Sequence, residues 1–179
     1  MTTGQSRAPL LLLFITLFSS VLGLSILFPV LGPLGRQLHL REDQVGLLTT
    51  VYAATQFLAA PFWGRLSEKR GRRPILLVGL FGLSLSFVLL SILVEWGTRG
   101  LLTGSPLWAL LIGARVVGGT FASATFPTAQ ALAADLSSES ERTRAMAIVG
   151  GAFGLGIIVG PMLGGACAAL FSLSPPLWV

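Results

Sequence analysis

Arg115 is the only charged side chain between Gly100 and Ala134, in a stretch dominated by apolar residues, glycines and small hydroxyls. A guanidinium stays ionised and offers five donors in a rigid fork, so here it acts as a fixed cation that needs acceptors. Backbone carbonyls, water, a substrate or a residue beyond this chain could each supply them. A second concentration of chemistry is GRLSEKRGRRP, Gly64 to Pro74, where five cations, one acid and two glycines fall within eleven residues of a chain that is 11% charged. Glu68, beside Lys69, can pair with Arg72 or Arg73 or sit at a helix N-terminus, and either contact can make and break. Asp135, in the segment leading to Arg142 and Arg144, either pairs with Arg72 or Arg73 or is a solvated helix end. The third is glycine-rich: Gly156, Gly160 and Gly164 repeat every four residues, with Pro161 and Gly165 beside them. Such a smooth helix face admits a close neighbour, and the proline can bend the helix. No nucleophile–base pair or phosphate loop is visible. His39 is the only histidine and has no ligand cluster, and Cys167 is the only cysteine. The expectation is a protein that is not an enzyme, with no metal, no cofactor and no disulfide.

The elements that must position these residues are set by solvent. With 53% hydrophobic residues and a mean hydropathy of +0.83, most of the chain belongs in lipid. The net charge of +5 does not imply a nucleic-acid partner, because the cations sit between apolar runs rather than along one face. Crossing about 30 Å of hydrocarbon takes roughly 20 apolar residues in a helix. Five segments qualify, and the expected helices are 9–34, 44–63, 74–95, 106–131 and 144–171, with a basic loop at 64–73. The first run also has the outline of a signal peptide, but its apolar character continues through ILFPVLGPLG, which favours an uncleaved helix. With the N-terminus inside, eight Lys and Arg residues lie on the cytoplasmic side (Arg7, Arg65, Lys69, Arg70, Arg72, Arg73, Arg142, Arg144) and three outside (Arg36, Arg41, Arg99). The positive-inside rule therefore predicts a multi-pass membrane protein entering from the cytosol.

Read as G-x-L-S-acid-K-x-G-R-R-P, Gly64 to Pro74 resembles the signature between helices 2 and 3 of the major facilitator superfamily. Arg115 to Gly119 is similar to its R-x-x-x-G element in helix 4. Gly156 to Gly165 is similar to the G-x-x-x-G-P-x-x-G-G element of its proton-coupled antiporters. Phe28-Pro29-Val30-Leu31 is similar to a turn found in its drug-efflux members. The resemblance implies an all-α membrane fold of twelve helices in two halves, of which residues 1–179 would be an incomplete N-terminal part with five. It also implies a plasma (inner) membrane location, a substrate bound between the halves, and the proton as coupling ion. Arg115 and Gly119 would serve in coupling. Gly64, Glu68, Lys69, Gly71, Arg72, Arg73, Asp135 and Arg142 would form a cytoplasmic gate. The family usually carries Asp where Glu68 stands, and tetracycline-type members carry an acid about where Ser20 stands.

Polar side chains on helices 1, 2 and 4 provide candidates for a substrate path, chiefly Ser20, Tyr52, Gln56 and Ser123. Hydroxyls commonly bond their own helix, so none is decisive by itself. The favoured expectation is proton-coupled efflux of small amphipathic compounds, with this chain alone inactive and the missing C-terminal half as its partner. The alternatives are uptake of sugars or other metabolites by the same fold, and a non-transporting subunit that binds through the smooth face of helix 5.

Overall fold

The computed structural model describes residues 7–170, with side chains from 9 to 167. The turn expected at 173–179, the last residue of the expected fifth helix and the side chain of Arg7 lie outside the described residues. Five helices run through the rest: α1 Arg7–Gln37, α2 Glu42–Arg70, α3 Arg72–Thr98, α4 Gly104–Asp135 and α5 Arg142–Leu170. No strand occurs among the described residues. All five are long and apolar enough to cross a membrane. Helix is the form an open chain can take there, since lipid offers no partner to an unpaired N–H or C=O. Helices of 27 to 32 residues extend about 40–48 Å, so each outruns the hydrocarbon and carries its charged ends past it.

That overrun changes one expected element. The stretch 64–73 is not a loop: α2 continues to Arg70, α3 begins at Arg72, and the break is Gly71 alone, at φ 93° and ψ 153°. Charge ends a lipid-compatible span without ending a helix, and Arg, Leu, Glu and Lys are good helix formers. Gly64 is therefore helical. Pro74 is the third residue of α3, within the first turn, where its missing N–H still has no helical partner to lose.

The opposite end of the bundle is closed by chain reversals of a different kind. After α1 the Leu40 N–H donates to the Gly35 carbonyl at 2.8 Å and the His39 N–H to Arg36 at 3.2 Å, with His39 at φ 54°. After α3 the same pattern runs from Leu101 to Trp96 and from Gly100 to Gly97, with Gly100 at φ 71°. Glycine suits this left-handed position and histidine does not, by roughly 1–2 kcal/mol. Part of that is offset by glycine's unfolded-chain entropy. His39→Gly is thus expected to raise the unfolding midpoint in detergent by about 1–3 °C. A lowered midpoint would contradict the assignment.

Packing divides the bundle into a pair and a trio. α1 lies along α5, while α4 packs against both α2 and α3. Near the His39 end a core forms from Leu27, Val30 and Leu34 of α1, Leu48 of α2, Leu90 and Val94 of α3, and Leu107 and Leu111 of α4. Near the Gly71 end a second core joins Leu13 and Leu17 to Leu76, Ala129, Ala133, Ala145 and Val149. The α1–α5 contact is backbone against backbone. A Cβ on Gly160 would strike Ser25 and crowd the Leu22 carbonyl oxygen at 3.0 Å, and one on Gly164 would strike the Ile26 carbonyl. Gly156 meets Val21 in the same way. The four-residue glycine spacing is therefore occupied within this chain, by α1. Gly165, on another face, has nothing within 4 Å.

Candidate functional site

Between the two cores α4 presents Arg115, 5% exposed. Its position is fixed from two sides. Ser86 of α3 donates to the Ala114 carbonyl at 2.9 Å, and Trp63 Nε1 of α2 donates to the Thr120 carbonyl at 2.7 Å. One turn beyond Arg115, Gly119 meets α2 so closely that a Cβ there would strike Thr55 Oγ1 and the Tyr52 carbonyl. This explains the R-x-x-x-G spacing physically. The glycine draws α2 in, and the Tyr52 ring arrives 5.4 Å from the guanidinium carbon, within range of a cation–π interaction.

Arg115 and Tyr52 border a cavity of about 390 Å³. Its walls come from four helices: Val21, Leu24, Ser25, Leu27, Phe28 and Leu31 of α1; Thr49, Tyr52, Ala53 and Gln56 of α2; Arg115 of α4; Phe153 and Ile157 of α5. A small organic molecule fits such a volume. Arg115 is the only charged residue in that lining. Its Nε and the Tyr52 hydroxyl are buried and have no hydrogen-bond partner among the described residues.

The other path candidates divide. Gln56 lines the cavity with Tyr52, whereas Ser20 and Ser123 do not. Ser20 donates to the Thr16 carbonyl and Ser123 to the Thr120 carbonyl, each within its own helix. Ser25 lines the wall but likewise donates to Val21, at 2.7 Å. Sequence reasoning did not place Phe28 and Phe153 on the cavity. Phe28 was visible only as part of a turn-like motif, and nothing in the sequence marks Phe153, whose ring centroid lies 4.8 Å from that of Phe126 with the planes tilted by 46°.

At the Gly71 end the basic stretch forms one cross-helix contact. Arg72 Nε lies 3.3 Å from Asp135 Oδ2, and Arg72 Nη1 donates to Ser67 Oγ at 2.8 Å. Asp135 alone would be disfavoured at the negative end of α4, as would Arg72 at the positive end of α3, and each relieves the other. Being partly exposed, the pair contributes only about 0–1 kcal/mol and opens at little cost. Glu68, Lys69, Arg73 and Arg142 are exposed and form no ion pair among the described residues. Gly64 borders open space. The structure thus brings together Arg72 and Asp135 of the expected gate, and leaves Glu68 unpaired.

Five lipid-compatible helices, four of them walling a solute-sized cavity with one buried cation, define a multi-pass membrane protein of transporter type. The sequence profile of the Major Facilitator Superfamily matches residues 13–179, and the chain belongs to that family. It is 36% identical over 166 residues to the class B tetracycline resistance protein of Escherichia coli, covering 91% of this chain and 38% of the relative. With multidrug resistance protein 2 of Bacillus subtilis (strain 168) it shares 28% identity, over 98% of this chain and 40% of the relative. The crystal structure of the human organic anion transporter MFSD10 (TETRAN) superposes with a TM-score of 0.73 at 25% identity, over 97% of this chain and 43% of that one. The chain therefore spans about two fifths of the length of these relatives.

Proposed function

We propose that this chain forms part of a proton-coupled exporter of small amphipathic compounds, seated in the plasma (inner) membrane with its N-terminus in the cytosol. The observation that carries the reading is the cavity of about 390 Å³ beside a buried, acid-free Arg115. The kinship with tetracycline and multidrug resistance proteins supports the direction of transport. Its largely apolar walls suit an amphipathic solute, and the remainder of a full transporter would close the open side.

Arg115 supplies the electrostatic element of coupling. A proton arriving on an acceptor about 6 Å from a fixed cation is opposed by about 3 kcal/mol at an effective dielectric of 20. That is enough to shift the acceptor's affinity for protons by about two decades. The reading assigns no proton site to α1, where Ser20 spends its hydroxyl on Thr16. The weak Arg72–Asp135 pair serves as a gate element that makes and breaks as the cytoplasmic side opens. The subunit reading loses its surface, because Gly156, Gly160 and Gly164 already face α1.

The test uses inside-out vesicles carrying the complete gene product and a fluorescent amphipathic dye. Acidifying the lumen is expected to drive dye accumulation, and a protonophore to abolish it. Accumulation that instead requires the opposite gradient would favour uptake by the same fold.

A further inference from the structure

We infer that the cavity takes its ligand as an amphipathic organic anion, whose carboxylate or equivalent group docks on Arg115 and Tyr52. The inference rests on the efflux reading for its biological sense but on separate observations for its content. The first is an imbalance of donors. Arg115 is 5% exposed, its Nε has no acceptor among the described residues, and the Tyr52 hydroxyl beside it is in the same condition. The guanidinium carbon lies 5.4 Å from the Tyr52 ring centroid, and both residues line the cavity. The second observation is charge. No acidic residue lines the cavity, so Arg115 is the one formal charge on its wall. A buried donor left unmatched costs about 1–3 kcal/mol, more when it is charged, and an anionic acceptor recovers most from that arrangement.

The third observation concerns the ligand's remaining surface. Phe28 of α1 and Phe153 of α5 line the cavity, as do Thr49, Tyr52 and Gln56 of α2. Thr49 already donates to the Gly46 carbonyl at 2.7 Å. An apolar, ring-sized body against the phenylalanines with its charged end toward Arg115 satisfies every wall. A cationic ligand in the same orientation would place like charges together in a poorly solvated space, which is unfavourable by a few kcal/mol.

The test compares three probes with one body and different charge: 1-naphthaleneacetate, its neutral amide, and 2-(1-naphthyl)ethylammonium. Binding to the purified complete gene product in nanodiscs is measured by equilibrium dialysis, and efflux of each probe is measured separately in vesicles. The wild type is expected to bind the acetate at least about tenfold more tightly than either analogue, the range for a hydrogen bond to a charged group. Arg115→Gln should bring the three within about threefold of one another. Tyr52→Phe, which keeps the ring and removes only the hydroxyl, should weaken the acetate about three- to tenfold and the amide by less, since the hydrogen bond lost to a charged acceptor is the stronger.

Equal or tighter binding of the amide or the ammonium by the wild type overturns the inference. That would also be the outcome if a carboxylate from the rest of the transporter neutralised Arg115. Proton-driven efflux without preference for the anion would sink the inference and leave the efflux reading intact. Selective anion binding without proton-driven efflux of any probe would support the inference and sink that reading.

Discussion

Arg115→Ala in the complete gene product is expected to reduce proton-coupled efflux by about two orders of magnitude while leaving the protein inserted in the membrane. The size follows from the role: removing the only charge in the cavity lining removes the roughly 3 kcal/mol by which a nearby proton and the guanidinium sense each other. Insertion should not suffer. A central arginine opposes membrane insertion by about 2.5–3.5 kcal/mol, and alanine is the best helix former, so α4 enters lipid more readily without it. Immunoblots of the membrane fraction and dye accumulation in inside-out vesicles separate the two effects. Undiminished accumulation would remove Arg115 from the mechanism. Arg115→Lys should recover part of the loss, since it restores the charge without the planar fork.

Gly160→Leu should be the most damaging substitution in α5. The first added carbon already collides with Ser25 and comes within 3.0 Å of the Leu22 carbonyl oxygen and 3.1 Å of the Ile26 nitrogen. Backbone cannot yield as a flexible side chain can. Inserting methylenes into packed cores costs about 1–3 kcal/mol even where neighbours adjust, so a leucine against main chain should exceed that range. The expected result is a clear fall in detergent unfolding temperature and loss of efflux. Gly165→Leu provides the control, because a Cβ there meets nothing within 4 Å. Comparable damage from both substitutions would indicate a general intolerance of bulk in α5 and contradict a specific α1–α5 seam.

Hydropathy made the five helices legible because lipid imposes one rule on every span. Arg115 was legible for the converse reason, as the residue that violates it. Its surroundings were not. The proximity of Tyr52 depends on how closely α2 approaches Gly119, a distance set by tertiary packing that leaves no local pattern. The serines illustrate a related gap: hydroxyl composition does not state which helix face is turned inward, and Ser20 and Ser123 lie outside the cavity lining. The basic stretch has the composition of a loop, but its charge ends the lipid-compatible span without ending the helix. Arg65 to Arg70 kept α2 helical, and only the left-handed Gly71 interrupted it. The glycine period of α5 announced a close partner without naming it.

That partner, α1, is made before α2, α3 and α4, whereas α5 emerges only after them. At roughly 5–20 residues per second, α1 therefore waits on the order of ten seconds on the ribosome before its principal neighbour exists. During that interval its backbone groove lies open to lipid, to the insertion machinery and to the wrong helices, so quality control of this protein during biosynthesis should centre on α1.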